Sequence, residues 1–552
     1  MLEPSIMERV TIGDLFDRIA LGAGDREAAV FVDHDVRWSY RELHTRVVQV
    51  ARGLMGLGIE AGEHVAIWAT NWPEWVLLQL ATAKIGAVLV TVNPAYRSDE
   101  LAYVLAQSDA TALFMIERFR TSSYTRLLAE CCPEIADARP GRLASKRFPY
   151  LKRVALLGEA TAPGMLSWAD VLAAGAGISD HMLRRRQETV DPDDPVNVQY
   201  TSGTTGFPKG AELTHVNLVN NAYYVGECLR LTARDRLCVP VPFYHCFGCV
   251  LGTLAAVVRG ATLVVPAEHF DPGKTLQAVA AERCTVLHGV PTMFIAELAH
   301  PRFAEFDLTS LRTGIMAGAP CPIEVMRRVV EQMHAREMTI AYGQTEASPV
   351  ITQTRAEDPI ELRVSTVGRP LPKVEVRIVD ERGHEVPRGT QGELCCRGHL
   401  VMRGYYKMPE ATAKAIGRDG WLHTGDLATM DEHGYCRITG RIKDMVIRGG
   451  ENVYPREIEE FLYRHPKVAD VQVFGVPDPV RGEELAAWIR LAPGATATED
   501  EIRAYCKERI AHYKVPRYVR FVDDYPMTVT GKVQKFKMRE IMTHELGLPA
   551  KS

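Results

Sequence analysis

YTSGTTGFPKGAELTH, residues 200–215, joins the strand-like apolar run VNVQY (196–200) to a loop of hydroxyl residues and glycines set around one lysine, Lys209. A loop of that composition turns backbone N–H groups and hydroxyls toward one anion, and the lysine adds a fixed positive charge. It suits a polyphosphate. It is not a Walker A loop, which needs G-x-x-x-x-G-K-[ST]. From Gly203 the chain reads GTTGFPKG, with Pro208 before the lysine and Gly210 after it. The competing reading is a polar linker, but linkers rarely run from an apolar strand straight into a lysine-bearing loop.

Outward from this stretch the chain alternates. Thr45 to Met55 is amphipathic, HVAIWAT (64–70) reads as a strand, Trp75 to Ile85 as a helix, and AVLVTVNP (87–94) as a strand. The apolar runs ATALFMI (110–116), RLCVPVP (236–242), ATLVVP (261–266), CTVLHGVP (284–291), TGIMAGAP (313–320) and MTIAYGQ (338–344) continue the pattern. Continuous apolar strands separated by helices predict parallel sheets covered on both faces. Ligands bind at the carboxyl ends of such strands. That singles out 201–209, 318–320 and 343–346.

From about Lys373 short strands and tight turns (VEVRIVD, GHEVPRG, GELCCRG) predict an antiparallel β subdomain. Residues 441–552 read as a separate α+β unit. Within it, 453–466 predicts a helix with Pro455 in its first turn and Ile458, Phe461 and Leu462 on one face. VADVQVFGV and LAAWIRL follow as strands, and Thr498 with Glu501 forms a capping box for a further helix. The expected fold is therefore α/β. A large N-terminal domain (1–440) carries doubly wound, mainly parallel sheets plus the antiparallel subdomain, and a small C-terminal α+β domain (441–552) follows.

Length and composition are those of an ordinary globular chain. The 552 residues suggest three or four structural units at about 150 residues each. Net charge is 65 − 69 = −4, so nucleic acid is not an expected partner. The twelve cysteines are scattered and predict reduced thiols in a cytoplasmic type of compartment. The acidic N-terminus fits neither a secretory signal nor a transit peptide. The most apolar window, Gly248 to Ala267, is interrupted by Arg259 and Gly260 and predicts a buried helix turning into a strand. The charge and hydropathy leave room for weak peripheral membrane association and for an oligomer, and predict neither.

Several motifs, in order along nearly the whole chain, resemble the adenylate-forming (AMP-binding) superfamily, and within it medium- and long-chain fatty acyl-CoA synthetases. The resemblance implies a two-step reaction using ATP, Mg²⁺ and coenzyme A. It implies that Thr201, Ser202, Gly203, Thr204, Thr205, Gly206 and Lys209 clamp the β- and γ-phosphates. In AYGQTE (341–346), Tyr342 and Gly343 meet adenine, Thr345 reaches phosphate and Glu346 holds Mg²⁺, which prefers hard oxygen ligands. Gly318, Ala319 and Pro320 of MAGAP resemble the adenine wall. Asp426 of WLHTGD matches the carboxylate that accepts the ribose hydroxyls, with Arg441 beside it, and Lys443 matches a hinge between the main domain and a mobile C-terminal one. Gly449 and Gly450 of RGGEN resemble a loop resting on the coenzyme A arm. Lys532 of TVTGKVQK matches the catalytic lysine, and His245 of PVPFYHCFG a histidine near the reacting carboxylate.

HGVPTMF (288–294) is expected to line an acyl tunnel, with Ala, Val and Gly around 248–257 leaving room for an alkyl chain. Few polar groups there could orient an amino acid or a phenol, which favours a plain fatty acid. Two alternatives stay open: a CoA ligase for aryl, phenylpropanoid or other small acids, and an acyl-AMP ligase feeding a carrier protein.

Overall fold

The structure, a computed structural model, describes residues 9–201, 208–319, 321–449, 451–507, 509–528 and 533–548. Two compact units emerge. The first holds residues up to Glu375 together with Cys396–Leu422, and the second holds Val376–Cys395 and His423 onward.

Besides a two-stranded antiparallel sheet of Arg118–Phe119 with Ser122–Ser123, the first unit contains two large sheets. One has the strand order Arg369–Pro370, Val350–Gln353, Glu337–Gly343, Thr313–Ala317, Val286–Gly289, Arg236–Cys238, Thr262–Val265, Glu27–Phe31, Val36–Ser39. Its strands from Glu337–Gly343 through to Glu27–Phe31 pair in parallel, and the outer strands on both flanks pair antiparallel. The other has the order Gly404–Tyr405, Lys209–Thr214, Pro195–Thr201, Val88–Thr91, His64–Trp68, Ala112–Met115, Arg153–Leu156. It is parallel from Pro195–Thr201 onward, while Lys209–Thr214 runs antiparallel to both its neighbours. The inner strands are buried along their whole length, as His64–Trp68 and Val88–Thr91 show. That accounts for their unbroken apolar runs rather than alternation.

Local chemistry sets the helices between them. Helix Tyr40–Gly56 starts in a capping box, with the Ser39 hydroxyl accepting from the Glu42 N–H and the Glu42 carboxylate accepting from the Ser39 N–H. Helix Pro73–Ile85 has proline at its start and ends at Gly86 in the left-handed region, φ 74°. Helix Ile12–Ala23 is tied down twice. The Ile12 N–H donates to His215 Nδ1 at 3.1 Å, and Asp17 pairs with the buried ammonium of Lys84. Burial pushes the His215 pKa down to about 4, so the imidazole stays neutral and accepts.

The apolar window folds as a buried π-helical segment, Phe247–Leu254, then helix Ala255–Arg259 and strand Thr262–Val265. Among the described residues no helix is long and apolar enough to cross a membrane. All twelve cysteines are free thiols, including Cys246 and Cys249 in C-x-x-C spacing, the first capping the π-helical segment and the second within it.

In the second unit, strands Val374–Val379, Gly392–Gly398, Leu422–Met430 and Cys436–Arg441 make a sheet in that order. Three of them begin or end in the first unit. A five-stranded sheet has the order Glu451–Val453, Val446–Arg448, Gly482–Leu491, Val468–Asp478, with Tyr518–Phe521 parallel on Gly482–Leu491. Helix Pro455–Leu462 buries Ile458 and Leu462 against this sheet. Each such side chain contributes about 1.5–3 kcal/mol. The cap at Thr498 forms, with its hydroxyl accepting from the Glu501 N–H at 3.2 Å. The Glu501 carboxylate is taken by Lys467 at 2.7 Å. The helix it caps runs Glu499–Lys507.

Candidate active site

Four neighbouring parallel strands of the first unit end at the segments that the motifs mark. Arg236–Cys238 leads to His245, Val286–Gly289 to Val290 and Pro291, Thr313–Ala317 to Gly318, and Glu337–Gly343 to Thr345 and Glu346. Gly318 takes φ 86°, a conformation that strains any residue with a Cβ, and a thiol from Cys321 donates back to the Met316 carbonyl at 3.3 Å to close the turn. Gly343 is required for a different reason: a Cβ there would sit 1.8 Å from the Pro349 carbonyl oxygen.

A continuous set of contacts links the candidate side chains of this unit. The His245 Nδ1 accepts from the Phe247 N–H at 3.1 Å, which places the neutral ring's proton on Nε2, the tautomer that can donate to a carboxylate. Cys246 lies 3.7 Å, Sγ to Oγ1, from Thr345, itself buried. Glu346 follows in a short 3₁₀ turn, Thr345–Ala347, and its Oε1 accepts from the Tyr405 hydroxyl at 2.7 Å. The Lys209 ammonium stands 4.7 Å from the centre of the same tyrosine ring. Thr201 is the register partner of Lys209, and its hydroxyl donates to the Lys209 carbonyl at 3.5 Å. Tyr342 is half-buried and Gly318 exposed at their strand ends, with Ala319 half-buried in the turn. Ser202 to Gly206 and Pro320 lie outside the described residues.

Helix His215–Cys228 clamps this arrangement through residues the motifs do not mark. Asn217 Nδ2 donates to the His399 carbonyl at 2.6 Å. Asn221 Nδ2 donates to the Val350 carbonyl at 2.9 Å, and its Oδ1 accepts from the Val350 N–H at 3.2 Å. The Ser348 hydroxyl adds a bond to the Leu400 carbonyl at 2.6 Å. One helix thus fixes both the turn after Glu346 and the 399–401 segment. The Asn pair at i, i+4 on one helix face was the available signal.

The region expected to leave room for an alkyl chain is more closely packed than its composition suggests. A Cβ on Gly248 would lie 2.2 Å from the Pro242 oxygen, and one on Gly252 would lie 2.7 Å from Val239 Cγ1. These glycines serve the close approach of the π-helical segment, not open space. Polar groups also hold the segment: the Gln79 amide donates to the Cys249 carbonyl at 2.9 Å, and the Gln199 amide donates to the Cys249 sulfur at 2.8 Å. His288 is fully buried and donates from Nε2 to the Leu251 carbonyl at 3.0 Å. Burial brings its pKa down to about 4, so it is a neutral wall residue rather than a charge.

The second unit holds the remaining candidate residues. Asp426 and Arg441 are register partners on adjacent antiparallel strands, and Arg441 Nε lies 3.0 Å from Asp426 Oδ1. Their loop is built from below. Glu393 Oε1 accepts from the Gly425 N–H at 2.9 Å, its Oε2 pairs with His423 at 2.8 Å, and the Thr424 hydroxyl donates to the Leu394 carbonyl at 2.6 Å. Glu393 lies outside the site motifs, and His423 and Thr424 belong to WLHTGD, whose reading assigns a role to Asp426 alone. Lys443 is exposed in the short turn Ile442–Asp444, and Gly449 is exposed with φ 60°. Arg448 beside it is buried and donates to Glu484 at 2.9 Å and to the Tyr513 carbonyl at 2.7 Å. Gly450 and Lys532 lie outside the described residues.

Residues 16–406 match the AMP-binding enzyme family, and residues 457–532 match the AMP-binding enzyme C-terminal domain.

The chain belongs to the AMP-binding enzyme family.

It is an enzyme of that family and 57% identical, over 96% of both chains, to a protein of Bacillus subtilis described as a putative acyl-CoA synthetase, YngI. It is 44% identical to the mitochondrial medium-chain acyl-CoA ligase ACSF2 of Rattus norvegicus, over 98% of this chain and 88% of that one. Among solved structures, ATP-bound MatB from Rhodopseudomonas palustris superposes with a TM-score of 0.81 at 31% identity, covering 96% of this chain and 99% of that one.

Proposed function

We propose that the protein is an ATP-dependent, AMP-forming acyl-CoA synthetase acting on a medium- to long-chain fatty acid. In the first half-reaction a carboxylate oxygen of the acid attacks the α-phosphorus of ATP. The bond to the bridging oxygen breaks and pyrophosphate leaves. In the second, the thiolate of coenzyme A attacks the acyl carbon, and AMP leaves with the bonding pair. Such chemistry asks the protein chiefly for positioning and charge neutralisation.

The observation that carries this reading is the contact series His245, Cys246, Thr345, Glu346, Tyr405, Lys209. An imidazole, a hydroxyl, a carboxylate and an ammonium stand in sequence in one unit, which supports their roles toward a carboxylate, a metal and phosphate. The half-buried Glu346 carboxylate fits Mg²⁺, a cation that takes one or two carboxylates and keeps water and phosphate as its other ligands. When bound, that ion would offset phosphate charge. Lys209 with residues 201–206 grips the terminal phosphates, Tyr342, Gly343 and 318–320 frame adenine, and Asp426 with Arg441 binds ribose. Lys532 neutralises the approaching carboxylate and α-phosphate. Lys443 is the hinge by which the C-terminal residues change position, and Gly449 and Gly450 rest on coenzyme A. The names of YngI and ACSF2 support the acyl-CoA product, and the medium-chain name of the latter supports an aliphatic acid. Free cysteines throughout support a cytoplasmic location.

The test is pyrophosphate release with Mg-ATP across short, medium and long fatty acids, benzoate and coumarate, each with and without coenzyme A. Turnover that needs coenzyme A and peaks on aliphatic acids is expected. Turnover on aryl acids would keep the mechanism and overturn the substrate. Acyl-AMP formation without use of free coenzyme A would mark a ligase that feeds a carrier protein.

A further inference from the structure

Tyr405 stands between the two charged groups on which the proposed chemistry depends, yet no motif of the sequence reading includes it. Its hydroxyl donates to Glu346 Oε1 at 2.7 Å, and its ring face lies 4.7 Å beneath the Lys209 ammonium. The segment that carries it is fixed by four backbone donors. The Met402 N–H donates to the Glu346 carbonyl at 2.9 Å, and the Arg403 N–H to the Glu212 carbonyl at 2.9 Å. The Tyr406 N–H donates to the Gly210 carbonyl at 2.8 Å, and the Tyr405 N–H to the Thr412 hydroxyl at 2.9 Å. The strand bearing Lys209 and the turn bearing Glu346 are therefore both stapled to residues 402–406. Tyr405 as a whole is 8% exposed.

We infer that Tyr405 is a positioning residue for the metal–polyphosphate centre: its hydroxyl occupies Glu346 Oε1 and so turns Oε2 toward the cation. The inference rests on the proposed role of Glu346. A lone carboxylate on a short turn has two equivalent oxygens and a freely rotating terminal torsion. A donor held rigidly against one oxygen removes that freedom before the ligand arrives, as partners behind a metal ligand generally do. A phenol suits the task. Its hydroxyl is a donor that the rigid ring carries to a fixed point, 2.7 Å from Glu346 Oε1. A core tyrosine placed only for packing would need no carboxylate; this one meets the carboxylate assigned to the metal.

The experiment measures Mn²⁺ retention by electron paramagnetic resonance, on the full chain with a non-hydrolysable ATP analogue, for the parent, Tyr405→Phe, Glu346→Gln and the double variant. Tyr405→Phe keeps the ring under Lys209 and removes only the hydroxyl. It should weaken Mn²⁺ retention about tenfold, the size of one hydrogen bond to a charged group, while metal-free binding of the analogue changes less than about twofold. The double variant should lose less than the sum of the two single losses, because both act through one carboxylate. Tyr405→His, which keeps a ring with an N–H donor, should stay within about threefold of the parent and serves if the phenylalanine variant folds poorly. Retention in Tyr405→Phe equal to the parent, with loss in Glu346→Gln, would overturn the inference and leave the metal site standing. Full additivity in the double variant would also overturn it. Unchanged retention in Glu346→Gln would instead overturn the metal assignment on which it rests.

Discussion

Asp426 keeps 4% of its surface exposed, whereas the Arg441 side chain that pairs with it is 53% exposed. A buried acid bound to a solvent-exposed cation can exchange part of that pairing for two ribose hydroxyls at little cost. Asp426→Ala should therefore weaken ATP binding by roughly tenfold, read by calorimetry, with little loss of fold because the arginine left behind is solvated. Unchanged affinity would remove the ribose assignment. Lys532 makes a sharper division. Lys532→Ala should abolish acyl-AMP formation, followed as ATP–pyrophosphate exchange, and largely spare thioester formation from supplied acyl-AMP. Equal loss of both halves would deny it a role confined to the first step. Gly343 is a steric case. Gly343→Ala presses a methyl into the Pro349 carbonyl and should destabilise the first unit by about 1–3 kcal/mol, seen as an earlier thermal transition.

At the scale of elements, much was legible because burial on both faces writes itself as apolar runs. The strands at 64–70, 196–200, 284–291, 313–320 and 338–344 read correctly for that reason, and three of them end at candidate site segments. What escaped notice depends on partners far apart in sequence. Tyr405 meets Glu346 across 59 residues, His423 meets Glu393 across 30, and Asn221 meets Val350 across 129. No local period encodes such pairs. The glycines at 248 and 252 were misread as space because a glycine used for backbone approach and one used for a cavity look alike in sequence. The first helix gives a testable case of long-range anchoring. Burial alone would raise the Asp17 pKa, but hydrogen bonds from His44 and the Lys84 ammonium overcome it and hold it at about 2. A depressed carboxylate stabilises the fold above its unfolded pKa and loses that contribution as pH falls through its folded one. Docking of helix Ile12–Ala23 should thus hold steady down to about pH 4 and weaken progressively toward pH 2, followed by hydrogen exchange of its amides. Asp17→Asn should flatten that profile; an unchanged profile would place the acid sensitivity elsewhere.

At the scale of the whole molecule the decisive property is how the chain passes between its parts. Compactness alone divides it so that the backbone crosses between units after Glu375, Cys395 and Leu422. A rotation about that division would need three segments to twist together. Lys443 is different, for the chain passes it once, after the Asp426–Arg441 strand pair is complete and before the five-stranded sheet begins. A single exposed residue in a short turn can absorb a large φ/ψ change without breaking a ladder. If the C-terminal residues alternate between an adenylating and a thioester-forming placement, the proposed hinge at Lys443 gives that freedom a single place in the chain. Lys443→Pro fixes φ near −65° and removes one N–H. It should slow one half-reaction by more than about tenfold and leave the other within about threefold, since a locked hinge serves only one placement. The measurement is ATP–pyrophosphate exchange set against thioester formation from supplied acyl-AMP on the same preparation. Equal slowing of both would mean that the proline damages the fold, and equal persistence would move the hinge away from Lys443.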